Sequence, residues 1–141
     1  AMAAYLKSLP KSAGGPVAVS AGNAGKRDAV LSQGAKLYEQ NCAACHGANG
    51  KGAPPAYPSL AGNRSLALGA ATNPIRIVLN GGYPPSTGGN PRPYGMPPFG
   101  ASLSDAEVAA VVSYIRTGWG NGGRLVSPLD VCAERPQTKS A

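Results

Sequence analysis

Between residues 27 and 121 apolar positions recur at helical spacing in three stretches, and no stretch of any length alternates, so the pattern predicts an all-α protein. The last stretch is the best marked. Ser104-Asp105-Ala106-Glu107 reads as a capping box and Leu103 with Val108 as a hydrophobic staple, which fixes where that helix starts. Val108, Val111, Val112, Ile115 and Trp119 then form a core-facing stripe.

The first of the three helices is predicted from Arg27, with Val30, Gly34, Leu37 and Asn41 on one face and Tyr38 beside them, and it delivers Cys42. Gly34 in mid-helix costs roughly 1 kcal/mol relative to alanine, which points to a close helix crossing. Tyr114, off the centre of the last stripe, is placed to meet Tyr38 or Gly34 if the first and last helices cross. A short helix between them is expected with Asn73 as N-cap, Pro74 at its first position, Ile75, Val78 and Leu79 as its stripe and Gly81 as its stop. Gly47 to Gly62 and Gly82 to Pro93 read as loops.

The flanks lack this organisation. Residues 1–9 read as a helical turn or two ending at Pro10, and Ser12 to Gly25 as a linker without periodicity. The expected division is 1–26, the end of a preceding domain plus linker; 27–121, the main domain; and 122–141, a polar tail. Apolar runs are too short to span a bilayer, and the first ten residues do not read as a signal peptide, so a soluble chain is expected. At 141 residues, with 43% hydrophobic residues against 20 glycines and 14 prolines, the core is modest, and a large apolar cofactor would add to it.

That cofactor is written into Cys42-Ala43-Ala44-Cys45-His46, a C-x-x-C-H containing the chain's only histidine. Two thiols at this spacing on a helical turn reach the two vinyl groups on one edge of a haem. The histidine that follows is carried under the iron. His46 is therefore the expected proximal ligand, and its second ring nitrogen needs an acceptor, for which the carbonyls of Tyr57 to Gly62, Pro58 above all, are candidates. A thioredoxin-like disulfide would want a preceding strand, whereas Cys42 ends a helical pattern. Zinc held by Cys42, Cys45, His46 and Cys132 would require adjacent residues to converge on one tetrahedral ion, with no second pair at zinc-like spacing.

The iron's sixth position separates a carrier from a catalyst. No second histidine exists, and of the two methionines Met2 sits near the start while Met96 lies in the proline-framed Tyr94-Gly95-Met96-Pro97-Pro98-Phe99, a loop stiff before any ligand binds. Met96 is the expected sulfur ligand, against the common alternative of a gap-filling core methionine. A peroxidase-like enzyme or gas-binding protein would need that position open or displaceable.

Charge adds little. The formal net charge is +7, but Asp28 to Trp119 carries six basic residues against four acidic, and the rest of the excess lies on the flanks. Two haem propionates would roughly cancel the central excess, and no basic stripe interleaved with aromatics is present, so nucleic-acid binding is not expected. Cys132 is left over; in an oxidising compartment it leaves a disulfide dimer, a free thiol or a buried inert residue open.

Residues 28–121 resemble a class I cytochrome c domain, on Gly34-x-x-x-Tyr38 before the C-x-x-C-H, Pro58-Ser59-Leu60-Ala61-Gly62, Met96 and the final helix with Tyr114. Gly95-Met96-Pro97-Pro98-Phe99 and Ser113 to Asn121 are further similar to the C-terminal haem domain of multihaem cytochrome subunits of membrane-bound bacterial dehydrogenases acting on alcohols, sugars, sugar acids or N-heterocycles. The resemblance implies a small all-α fold of three to five helices around one covalently bound haem c. Its implied cofactor-binding set is Cys42, Cys45, His46, Pro58, Leu60 and Met96, with His46 and Met96 on the iron and no catalytic residue. It implies electron transfer rather than enzymatic turnover, in the periplasm, with membrane association through other parts of the complex. The expected partners are a dehydrogenase subunit, other haem domains, and a quinone or terminal oxidase acceptor, or else the chain is a freestanding soluble cytochrome.

Overall fold

The computed structural model describes residues 21–136. The turn expected at 1–9, Met2, the linker up to residue 20 and the last five residues lie outside them. Five α-helices occur among the described residues: α1 Ala21–Asn41, α2 Ala43–His46, α3 Thr72–Asn80, α4 Asp105–Thr117 and α5 Pro128–Glu134. Short 3-10 turns cover Arg64–Ala67 and Gly118–Gly120. Strand pairing among the described residues is confined to isolated bridges, one of them between Gly82 and Met96.

The frame is the crossing of α1 over α4. A Cβ added at Gly34 would lie 2.2 Å from the carbonyl oxygen of Ala110 and 2.8 Å from Cβ of Tyr114, so only glycine permits this approach. Tyr38 and Tyr114 meet beside it with ring centroids 5.5 Å apart, as the sequence pattern predicts. The capping box at Ser104 and Glu107 forms, and Val108, Val111, Val112 and Ile115 are buried. Ala109, Ala110, Ser113 and Arg116 are buried as well, because α1, α3, α5 and the 64–67 turn surround α4 on several sides.

Several expectations need correction. α1 begins at Ala21, so residues 21–25 are helix and not linker. Once residues 27–41 are docked, extension adds one hydrogen bond per residue without a new nucleus, which offsets the low helix propensity of Gly22, Asn23 and Gly25. α3 starts at Thr72 with Ala71 as an N-cap that makes no side-chain cap, and not with Asn73. Pro74 sits at its third position, where the missing N–H has no intrahelical acceptor to lose. Trp119 is not on the α4 stripe: α4 ends at Thr117, and Trp119 takes the left-handed φ of 50° in the following turn, packed on Tyr38 and Tyr114 with centroids 5.2 and 5.6 Å away. The segment read as a polar tail contains α5. Ser127 and Asp130 form its capping box, and Val126 and Val131 enter the core.

Arg116, one of the six basic residues of the central segment, is 2% exposed. Its guanidinium donates to the carbonyls of Leu66, at 3.0 Å, and of Leu68 and Gly69, tying the 64–69 segment to α4. Burial lowers its pKa from the ordinary arginine value, and Arg124 pushes the same way.

Candidate functional site

The α1–α2 junction, the loops that follow it and the segment after α3 enclose one cleft of about 320 Å³, within the ligand-sized range of about 300–1,000 Å³. Cys42, Cys45, His46, Pro58 and Met96 all line it. Leu60 does not. It packs against the hydrophobic core behind the loop, and its backbone N–H donates to the carbonyl of Gly50 at 2.7 Å.

On the histidine side, the amide of His46 donates to the Cys42 carbonyl at 2.9 Å, so one turn of α2 presents both cysteines and the imidazole. His46 is 9% exposed, and its Nδ1 lies 2.9 Å from the carbonyl oxygen of Pro58. A carbonyl can only accept, so Nδ1 carries the proton and Nε2 keeps its lone pair for a metal. The loop after His46 is folded back by its own backbone. Gly52 N–H donates to His46 O at 2.7 Å, Leu60 and Ala61 N–H both donate to Gly50 O, and the Tyr38 hydroxyl donates to Gly47 O at 2.7 Å. Gly50, at φ 68°, lies flat against the Trp119 ring, where an added Cβ would come within 2.7 Å of it. Asn121 closes this side by accepting from Gly62 N–H at 2.8 Å and donating to the carbonyls of Leu60 and Ile115.

Burial governs the ionisable groups here. It pushes the Cys42 thiol up to about 11, with the neighbouring Cys45 adding to the effect, so Cys42 is protonated at neutral pH in the bare polypeptide. Burial, Cys42 and Tyr114 together push Tyr38 up to about 12.

The methionine side is built from loops. Met96 pairs backbone to backbone with Gly82, at 2.8 and 3.0 Å, and Phe99 and Gly100 N–H donate to the last carbonyls of α3, those of Val78 and Leu79. Ile77, Tyr83, Pro84, Tyr94 and Phe99 are among the further lining residues, and none of them belongs to the C-x-x-C-H motif. Tyr57 and Tyr94 stack with centroids 5.4 Å apart, and Tyr83 is 85% exposed. Ile77 was detectable in principle: it is an isoleucine off the apolar stripe of its helix and stays 42% exposed.

The donor set fits a haem. Two thiols at vinyl spacing, an imidazole with a defined free nitrogen, a thioether and otherwise apolar walls are what a flat macrocycle carrying iron requires. Among the described residues no three His, Cys, Asp or Glu side chains converge as a zinc site would need, and Cys132 stands exposed on α5.

The Cytochrome c family profile matches residues 31–119. The chain is 38% identical over 143 residues to the cytochrome c subunit of a quinone alcohol dehydrogenase from Gluconobacter oxydans, covering 93% of this chain and 28% of that protein. It is 40% identical over 108 residues to the cytochrome c subunit of a gluconate 2-dehydrogenase from Pantoea cypripedii, covering 72% and 24%. With cytochrome c-552 of Thermus thermophilus it shares 37% identity over 95 residues, 65% of this chain and 72% of that one. The chain thus spans about a quarter of the length of the dehydrogenase subunits it matches. Domains of this family carry a covalently bound haem c, and their work is electron transfer. With its helical architecture, its C-x-x-C-H turn and this profile match, the chain belongs to the cytochrome c family, with the small all-α class I fold.

Proposed function

We propose that the unit built on residues 27–121, together with α5, carries one haem, attached through Cys42 and Cys45 and ligated by His46 and Met96, that relays electrons from a dehydrogenase to a respiratory acceptor in the periplasm. The observation that carries the reading is the cleft that gathers both thiols, the sole histidine and Met96 from segments about fifty residues apart. One haem per chain follows from the single C-x-x-C-H. When bound, such a haem supplies a one-electron couple at its iron.

The protein's residues set the conditions. Pro58 O holds the imidazole tautomer and ring plane, and the hydrogen bond makes Nε2 a better donor. The apolar lining excludes water and disfavours the more highly charged state of whatever it encloses, while a thioether in place of a second imidazole acts in the same direction. Ala44 and Ala48, close in sequence to Cys45 and His46, are exposed and small, so a partner protein can approach closely there. Contacts of this kind bury less than about 1,200 Å², because turnover demands rapid release.

The dehydrogenase subunits among the relatives support a partner of that type, with other haem domains or a quinone or terminal oxidase taking the electron onward. No helix of the described residues is long and apolar enough to cross a membrane. Carbon monoxide tests the reading. The reduced protein is expected to keep its spectrum under the gas, and a large shift would instead favour a displaceable sixth ligand and a gas-binding or peroxidase-like role.

A further inference from the structure

We propose that Arg135 is a positioning residue for Met96, clamping the peptide that follows the methionine and so setting how firmly the sulfur is held. This rests on the reading of Met96 as an iron ligand. Arg135 follows α5, and its guanidinium spreads over three acceptors on the segment leading into α4. Nε donates to Asp105 Oδ1 at 2.7 Å, Nη2 to the carbonyl of Leu103 at 3.0 Å, and Nη1 to the carbonyl of Gly100. Three acceptors in one planar fork suit arginine and not lysine.

Gly100 is gripped from both sides, since its own N–H donates to Leu79 O at the end of α3. Only Pro97, Pro98 and Phe99 separate it from Met96, and the two proline rings fix φ, so slack at Gly100 is passed on rather than absorbed. Arg135 is itself anchored. Val131 is fully buried, and Glu134 accepts from Thr72 at 2.9 Å and from Arg76 at 2.6 Å on α3. A helix outside the cleft thereby holds the methionine side of it.

The test is imidazole binding to the ferric, haem-loaded chain at saturating imidazole, where release of Met96 limits the rate. Arg135→Ala is expected to accelerate binding about tenfold or more, as loss of charge-assisted hydrogen bonds to a loop predicts. Leu66→Ala, in the 64–67 turn held by Arg116, serves as a control compared at equal loss of thermal stability, and is expected to change the rate by no more than about twofold. Amide exchange over residues 96–103 should rise in Arg135→Ala while α1 is unchanged, a readout independent of iron. Arg135→Lys, which keeps the charge but not the fork, supplies the same comparison if Arg135→Ala does not fold. A slow wild type with an equally slow Arg135 variant, or a variant no faster than Leu66→Ala, overturns the clamp alone. A wild type as fast as Met96→Ala overturns the ligand reading and the proposal with it.

Discussion

The two sides of the cleft are held in different ways. The histidine side hangs on the α1–α4 crossing, with the cysteines and His46 on one helical turn, Pro58 O 2.9 Å from the imidazole, and Asn121 and Trp119 sealing the loop from behind. The methionine side has no helix of its own beyond the end of α3. Met96 is placed by a two-bond bridge to Gly82, a stiff proline pair and contacts from the C-terminal α5. The difference teaches that, on the proposed ligation, the nitrogen ligand sits on a helical turn braced by a helix crossing, whereas the sulfur ligand sits on a loop held by bonds to α3, to Gly82 and from Arg135. Local perturbations of one side should therefore leave the other in place.

The largest expected effect breaks the histidine side at its frame. Gly34→Val places branched carbons against the Ala110 backbone, which has no rotamer to yield, and should destabilise the fold by about 3 kcal/mol or more. Denaturant unfolding measures it, and a loss below about 0.5 kcal/mol would show that the crossing is not what holds this side. Next comes Asn121→Ala, which strands Gly62 N–H and the carbonyls of Leu60 and Ile115 and should cost about 2 kcal/mol. Amide exchange at Gly62 should rise sharply while exchange at Met96 stays as in the wild type. An equal rise at both sites would erase the distinction between the two sides.

The smallest effect concerns acid. Hydrogen bonds from Thr72 and Arg76 hold Glu134 below its ordinary carboxylate value of 4.5. A depressed value means the contribution of Glu134 to docking α5 is complete above about pH 4.5 and is lost as pH falls through the lower native value. Exchange from α5 should increase over that acid range, and Glu134→Gln should flatten the Glu134 part of the response. Asp130, depressed by its capping bonds to Ser127, titrates on the same side and supplies the remainder.

Features carried by neighbouring residues were legible in the sequence. The capping box at Ser104, the Gly34 crossing with Tyr38 and Tyr114, and the all-helical class each follow from patterns within about a dozen residues or from a known pairing of helices. Features that arise only when distant segments meet were not. Nothing in the composition distinguishes Arg116, closed over three carbonyls, from an arginine in water. α5 is seven residues long and its fully buried side chain is Val131, too little periodicity to separate it from a tail, and its bond from Arg135 to Asp105 spans thirty residues. At the cleft, the motif named the cysteines and His46 and the proline frame named Met96. Tyr83 enters the lining through tertiary placement alone, and Leu60 turned inward to the core.

The most direct test is the absorption spectrum of the ferric protein at the red edge, where a sulfur–Fe(III) bond gives its weak charge-transfer band. The band should be present in the wild type, absent in Met96→Ala and retained in Met2→Ala. A wild type without the band, or a Met96→Ala variant that keeps it, would contradict ligation by His46 and Met96.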